Sequence, residues 1–360
     1  MQLQVNQMRK DEDLLTECVA RETGKSNRDA YGEVQGAIAQ GEYFAGEGRR
    51  LHGRSLTSAM PGKYAHTVRV PLGIAGLIVP ANTPIANIAW KLFPALICGN
   101  TVVLKASEDS PEIALIMAKL AQSAGIPDGV FNVIQGTGLN AGVPIVESDR
   151  VDIISFTGST EVGKSIASIV GKRMGRVSLE LGGKNPLVVT SDADLGNAVH
   201  WASLSAFSNA GQRCAAGSKI LIYEDVYQEF IKKLIRKVKT LKLGIHDDCD
   251  IGPVMNIKQE KNILEAIEHA KKEGGRILCG GSKSNEKHLQ SGFYIEPTLI
   301  EGLENDANLS CNEIFGPVAT LYKVKDLDEA IKVSNASEYG LTAAIHTNDV
   351  DTAIIYAQNV

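Results

Sequence analysis

Between Pro71 and Gly182, short unbroken apolar runs alternate with helical stretches, and this alternation limits the fold more than any other feature of the chain. Ile74 to Val79, Thr101 to Lys105, Val130 to Ile134 and Asp152 to Phe156 each have the length of a strand, with apolar residues at consecutive positions. Strands of that kind are buried on both faces, as in a parallel sheet covered by helices. The stretches between them read as helices: Pro84 to Ile97, Pro111 to Ser123 with proline in its first turn, and Glu161 to Gly171. The expected fold is therefore α/β, with a doubly wound sheet of the Rossmann type that binds nucleotides.

Two helical stretches precede this series, Asp13 to Arg21 and Asp29 to Arg50, broken at Gly24. Around Pro61-Gly62-Lys63 the pattern suggests two strands and a turn, a hairpin with one solvated or partner-facing side. After Gly182 a second series begins. Its strands are Pro186 to Val189, Lys219 to Tyr223, Ala319 to Val324 and Leu341 to Ile345, and its helices Val226 to Leu241 and Gln259 to Glu273. The longest irregular stretch is Gly280 to Gly292. A chain of 360 residues fits two domains. Residues 1–50 and 71–182 are assigned to a dinucleotide-binding domain, 51–70 to the hairpin arm and 183–360 to a second α/β domain.

A net charge of −5 with spread lysines and arginines gives no electrostatic reason to expect nucleic acid or an anionic membrane. The N-terminus is polar and runs into Asp11-Glu12-Asp13, unlike a signal peptide or an anchor. Six cysteines lie far apart without metal-like spacing, as expected of reduced thiols in the cytoplasm, so no metal site is expected.

Cys214 is flanked by small residues in Gly211-Gln-Arg-Cys-Ala-Ala-Gly217, with Arg213 beside it to favour thiolate. It reads as a nucleophile or as a buried structural cysteine. Two glycine patterns compete for a phosphate. One is Gly136-Thr-Gly138-Leu-Asn-Ala-Gly142. The other is Phe156-Thr-Gly158-Ser159-Thr-Glu-Val-Gly163, which follows a strand and opens a helix; there Ser159 is either a phosphate ligand or an ordinary N-cap. Glu180 ends a strand-like stretch before Gly182-Gly183, either as a surface-facing strand residue or as a base raised in pKa by partial burial.

Taken together, these segments resemble the NAD(P)-dependent aldehyde dehydrogenase superfamily over nearly the whole chain. The likeness is carried by Pro71-Leu-Gly-Ile-Ala-Gly-Leu-Ile-Val-Pro80-Ala-Asn82, by Trp90-Lys91 through Lys105-Ala-Ser-Glu108, and by Phe156-Thr-Gly-Ser-Thr160. Leu179-Glu180-Leu-Gly-Gly-Lys184-Asn-Pro, Gly211-Gln-Arg-Cys214 and Glu313-Ile-Phe-Gly-Pro-Val318 complete it. The resemblance implies a Rossmann-type cofactor domain, an α/β catalytic domain and a hairpin arm that serves oligomerisation. It implies that Cys214 attacks an aldehyde, that Asn82 and the Cys214 N–H hold the oxyanion, and that Glu180 activates water against a thioester. For the cofactor it implies Gly158 and Ser159 at the pyrophosphate, Lys105 and Glu108 at the adenosine ribose, and Glu313 with Phe315 at the nicotinamide ribose. A carboxylate at Glu108 favours NAD over NADP, unless Lys105 compensates for a 2′-phosphate.

The chain departs from the family pattern in two places. Ala81 and Thr83 flank Asn82 where aromatic residues are usual, and Asn87 lies one helical turn on. With Arg213, these smaller and more polar walls suggest a polar aldehyde such as a semialdehyde. The family pattern also begins before Met1 and continues past Val360, so the catalytic domain is expected to be incomplete. The competing functions are a coenzyme A-acylating relative and a non-catalytic subunit that binds NAD.

Overall fold

Three helices open the chain, Gln2–Lys10, Glu12–Thr23 and Asn27–Glu47. The first was not foreseen, because only Val5 and Met8 give it an apolar face, too thin a pattern to stand out from a polar run. The computed structural model describes residues 1–360. The chain divides into two units, Met1–Thr23 with Asn27–Leu181, and Gly24–Ser26 with Gly182–Val360.

In the first unit, β1 (Ser55–Thr57) and β2 (Tyr64–His66) form an antiparallel hairpin with Leu56 opposite Ala65, and every residue of both strands is exposed. The main sheet consists of β3 (Ile74–Ile78), β4 (Thr101–Lys105), β5 (Phe131–Ile134), β6 (Ile153–Thr157) and β7 (Arg176–Glu180). All pairings are parallel and the order is β5-β4-β3-β6-β7. The strand order therefore reverses between β3 and β6, the place where an open parallel sheet of this type takes a ligand. Ala75, Leu77, Val102 and Leu104 pack into one core with Leu92 and Phe93 of the helix Pro84–Ile97. Ile154 and Phe156 pack into another with Ile166 and Val170 of the helix Thr160–Lys172. Strand β7 lies at the sheet edge and is largely exposed, so the stretch ending at Glu180 is an edge and not a buried run.

The second unit holds β8 (Pro186–Val189), β9 (Lys219–Tyr223), β10 (Arg276–Cys279), β11 (Thr298–Glu301), β12 (Val318–Val324) and β13 (Ala344–His346), in the order β10-β11-β12-β9-β8-β13. All are parallel except β10, which runs antiparallel to β11 at the edge. Val188, Ile220, Leu221 and Ile222 are buried against helices on this sheet, notably Phe230 and Leu234 of Tyr227–Val238. Strands β10 and β11 and the helices Leu195–Phe207 and Leu327–Ser334 were not foreseen. The two strands have four residues each. Leu195–Phe207 is rich in apolar residues all round, so it lacks the periodic contrast that marks an amphipathic helix. The last strand begins at Ala344 and not Leu341, since Thr342 donates its N–H to the side chain of Asn185 and not to a sheet neighbour.

Candidate active site

In the first unit, the candidate residues collect along the C-terminal ends of neighbouring strands. Ile78 of β3 lies between Lys105 of β4 and Phe156 of β6, and Thr157 pairs with Glu180 of β7. Asn82 and Thr83 follow β3, Glu108 follows β4, and Gly158 with Ser159 follows β6. Sheet topology thus brings Asn82, Lys105, Glu108, Gly158, Ser159 and Glu180 to one edge.

Ser159 caps the helix Thr160–Lys172: its side chain accepts the Val162 N–H at 3.4 Å, so the N-cap geometry holds. The helix N-terminus still offers its first N–H groups and the positive end of its dipole to an anion. A Cβ on Gly158 would lie 2.4 Å from the Phe156 ring, which is why only glycine fits there. Lys105 is buried, and its Nζ donates to Glu108 Oε2 at 2.9 Å. Burial works against the Glu108 charge, but the Lys105 hydrogen bond and the Gly138 N–H, among others, hold its carboxyl below the usual range. The first glycine pattern therefore meets the chain at Glu108; Gly138–Gly142 itself coils as one turn of π-helix.

Thr83 and Asn87 hold each other. The Asn87 amide donates to the Thr83 hydroxyl at 2.7 Å and to its carbonyl at 3.0 Å, fixing the first turn of Pro84–Ile97. Asn87 is buried, with both amide hydrogens spent in this way. Lys91 on the same helix is buried and not a surface lysine. Its Nζ donates to Ser155 Oγ at 2.9 Å. Burial pushes it down to about 8, with Glu180 pulling the other way. Of the two readings of Glu180, the surface-facing strand residue is the one found: it is exposed at the end of its edge strand.

In the second unit, the candidate residues sit in loops that lead into strands: Gly182-Gly183 before β8, Arg213-Cys214 before β9, and Glu313 with Phe315 before β12. After the helix Leu195–Phe207, the chain reverses through Asn209, Ala210 and Gly211, all left-handed with φ of 53°, 55° and 68°. Two of these are not glycine, a conformation that costs about 1 kcal/mol each. A Cβ on Gly211 would lie 2.1 Å from the Gly316 carbonyl oxygen.

Three buried or half-buried amides pin these loops. Asn185 donates to the carbonyls of Cys214 at 2.7 Å and Ala216 at 2.9 Å. Gln212 accepts from Met255 N at 2.8 Å and donates to Pro253 O at 3.3 Å. Gln259 donates to the carbonyls of Ile314 and Phe315, each at 2.9 Å, which holds Phe315 at its left-handed φ of 52°. None of these positioning roles was foreseen. For Asn185 and Gln212 the only signal was an amide near the glycines of a motif, and for Gln259, far from the motif that it holds, there was none.

Cys214 is half-buried and free. Burial pushes its thiol up, and Glu313 adds to this; the N–H groups of Ala215 and Cys214 and the charge of Arg213 oppose it without prevailing. The expectation that Arg213 favours thiolate is therefore outweighed. Its guanidinium is exposed and donates to Ser208 Oγ at 3.1 Å. Glu313 accepts the Gly183 N–H at 3.2 Å, and burial pushes it up to about 7. Any side chain on Gly182 would meet Glu313 Oε2.

The aldehyde dehydrogenase family model matches residues 1–360. The chain belongs to the aldehyde dehydrogenase family. It is 40% identical over 350 residues to an aldehyde dehydrogenase of Emericella nidulans, covering 96% of this chain and 69% of that protein. It is 42% identical over 328 residues to retinal dehydrogenase 2 of Homo sapiens, covering 90% and 62%. A solved betaine aldehyde dehydrogenase of Staphylococcus aureus in complex with NAD+ superposes with a TM-score of 0.98 at 32% identity, over 99% of this chain and 71% of that one. As a member of the family, the chain is an oxidoreductase of the NAD(P)-dependent aldehyde dehydrogenases. No group of three or more His, Cys, Asp or Glu side chains is placed to hold a metal ion, and no helix is long and apolar enough to cross a membrane.

Proposed function

We propose that the chain oxidises an aldehyde to the carboxylic acid with NAD, by way of a thioester on Cys214. The reading rests above all on the Cys214 loop. Asn185 ties the Cys214 carbonyl at 2.7 Å and a left-handed turn fixes the approach, while the sulfur stays half-buried and unpaired. A thiol so held has its direction set by the backbone.

The donor set fits a dinucleotide. The Ser159 hydroxyl and the N-terminus of Thr160–Lys172, together with Gly158, suit a pyrophosphate, and the Lys105–Glu108 pair suits ribose hydroxyls. Glu313 and Phe315 take the nicotinamide ribose. Carboxylate at Glu108 repels a 2′-phosphate, which favours NAD. When bound, NAD supplies the acceptor for the hydride.

Cys214 then acts as thiolate on the aldehyde carbon, and the Asn82 amide and the Cys214 N–H stabilise the oxyanion. Glu180 takes a proton from the water that resolves the thioester, for which an exposed carboxylate has ready access to solvent. The small Ala81 and Thr83 beside Asn82, with Arg213, favour a polar aldehyde such as a semialdehyde. We place the chain in the cytoplasm, and its hairpin arm in contact with a second copy.

NADH formation at 340 nm across an aldehyde panel, with and without coenzyme A, tests this. Acid production independent of coenzyme A is expected, faster with an acidic semialdehyde than with a long alkyl aldehyde. Cys214→Ser is expected to lower turnover at least ~1,000-fold with NAD affinity kept. Glu180→Gln should give one burst of NADH and then stall. An acyl-coenzyme A product points to the acylating relative, and NAD binding without reduction points to a non-catalytic subunit.

A further inference from the structure

The hairpin arm carries charge of one sign. Between Glu47 and Glu108 the sequence has no acidic residue, and the segment at the arm holds Arg49, Arg50, Arg54, Lys63 and Arg69. In a chain of net charge −5 this is a local inversion, and it coincides with a cavity. The cavity, about 530 Å³ in volume, is lined by Arg50, His52, Arg54, Thr67, Val68 and Arg69. These residues lie just before β1 and just after β2, at the root of the arm.

Backbone contacts fix that root. Beyond the pair Ser55–His66, where the register of β1 and β2 ends, the Thr67 N–H donates to the Arg54 carbonyl and the Arg54 N–H to the Thr67 hydroxyl, each at 2.8 Å. A Cβ on Gly53 would lie 1.6 Å from the Thr67 carbonyl oxygen, so only glycine lets the incoming and outgoing segments pass this closely. Arg54 on the way in and Arg69 on the way out thus line one cavity. The Thr67 hydroxyl accepts through its oxygen and keeps its hydrogen to donate.

Of the three guanidiniums at the cavity, only that of Arg50 is neutralised. It holds Glu47 Oε1, at the end of the helix Asn27–Glu47, through Nε and Nη2 at 2.6 Å each. Arg54 and Arg69 are exposed and enter no ion pair, and no carboxylate lines the cavity. Two like charges facing one cavity repel. An anion between them removes that repulsion and accepts the paired N–H groups that each guanidinium presents.

We propose that the root of the hairpin is a binding site for a small, multiply charged oxyanion, gripped by Arg54 and Arg69 with the Thr67 hydroxyl as a further donor. A singly charged ion would leave one guanidinium unanswered, so the ligand carries at least two negative charges. The site spares β1 and β2, which stay free for the second copy. It uses none of the residues assigned to the aldehyde or the dinucleotide, so it stands or falls separately from the reaction proposed above.

The test is a calorimetric titration of the full chain with inorganic tripolyphosphate and with citrate, each with and without saturating NAD. At least one probe should bind with a Kd below ~1 mM, and NAD should leave that binding in place. Tripolyphosphate alone points to a phosphoryl ligand, citrate alone to a polycarboxylate. Arg54→Gln and Arg69→Gln should each weaken binding ~10-fold and together ~100-fold, the usual worth of charge-assisted hydrogen bonds. Lys63→Gln at the turn of the hairpin makes the same change of charge outside the cavity, and should alter the Kd less than ~2-fold once salt screens it. Circular dichroism checks that these exposed substitutions keep the fold. Binding of neither probe, binding that NAD abolishes, or an equal loss from Lys63→Gln overturns the proposal.

Discussion

In the first unit every candidate residue outside a helix stands at or after the C-terminal end of a strand, whereas in the second each stands in a loop before one. The difference decides what does the holding. Past the ends of β3 and β6 come the N-termini of Pro84–Ile97 and Thr160–Lys172, so unpaired N–H groups and positive dipole ends arrive with the backbone. Ahead of β9 and β12 come the C-terminal ends of Leu195–Phe207 and Asn308–Cys311, which bring carbonyls instead. The loops that follow those ends present carbonyls of their own, and Asn185 donates to those of Cys214 and Ala216, Gln259 to those of Ile314 and Phe315.

If this contrast is correct, removing a side-chain clamp should harm the second unit more than removing a cap harms the first. Asn185→Ala strands the carbonyls of Cys214 and Ala216 and the N–H of Thr342, and should cost about 3 kcal/mol in urea unfolding, with turnover falling alongside. A loss under ~1 kcal/mol would mean that the loop holds itself.

Next in size is the pH dependence of stability. Glu313, raised to about 7 in the fold, favours the protonated native state, so its contribution is full at acid pH and is lost as pH rises to about 7. Lys184, lowered from 10.5 to about 7, has the opposite sign: its cost is greatest when protonated and fades as pH rises above about 7. Together they should give a dip in thermal midpoint near neutrality, and Lys184→Met should remove its alkaline side.

In the first unit, Ser159→Ala should cost about 1 kcal/mol, the usual worth of an N-cap, and weaken NAD binding in a calorimetric titration. The smallest effect has the reverse sign. Ala210→Gly relieves a left-handed residue and should stabilise the chain by about 0.5 kcal/mol on the same urea curve.

The same contrast explains what could be read from the sequence. From Ile74 to Lys172, the first unit's strands and its longer helices fell within a residue of their places, because periodicity reports burial and burial builds this sheet. The helix N-terminus at Ser159 was legible for the same reason: glycine and hydroxyl residues after an apolar run announce one. In the second unit, β9 was legible from Lys219 to Tyr223, yet the clamps were not. Asn185 lies near Cys214 and Thr342 only once the chain has folded, and nothing local marks an amide that will bond residues so remote. Arg213 misled for a related reason, since its adjacency to Cys214 says nothing of the burial that outweighs its charge.

The left-handed run from Asn209 to Gly211 also bears on engineering. The cysteine loop that it leads into is not a portable cassette. The run needs Gly211 bare of a side chain where it passes the Gly316 carbonyl, and the segment it leads into needs an amide arriving from the start of another strand. Transplanting the cysteine motif alone into a new scaffold would move the sulfur and leave behind the two distant segments that hold its loop.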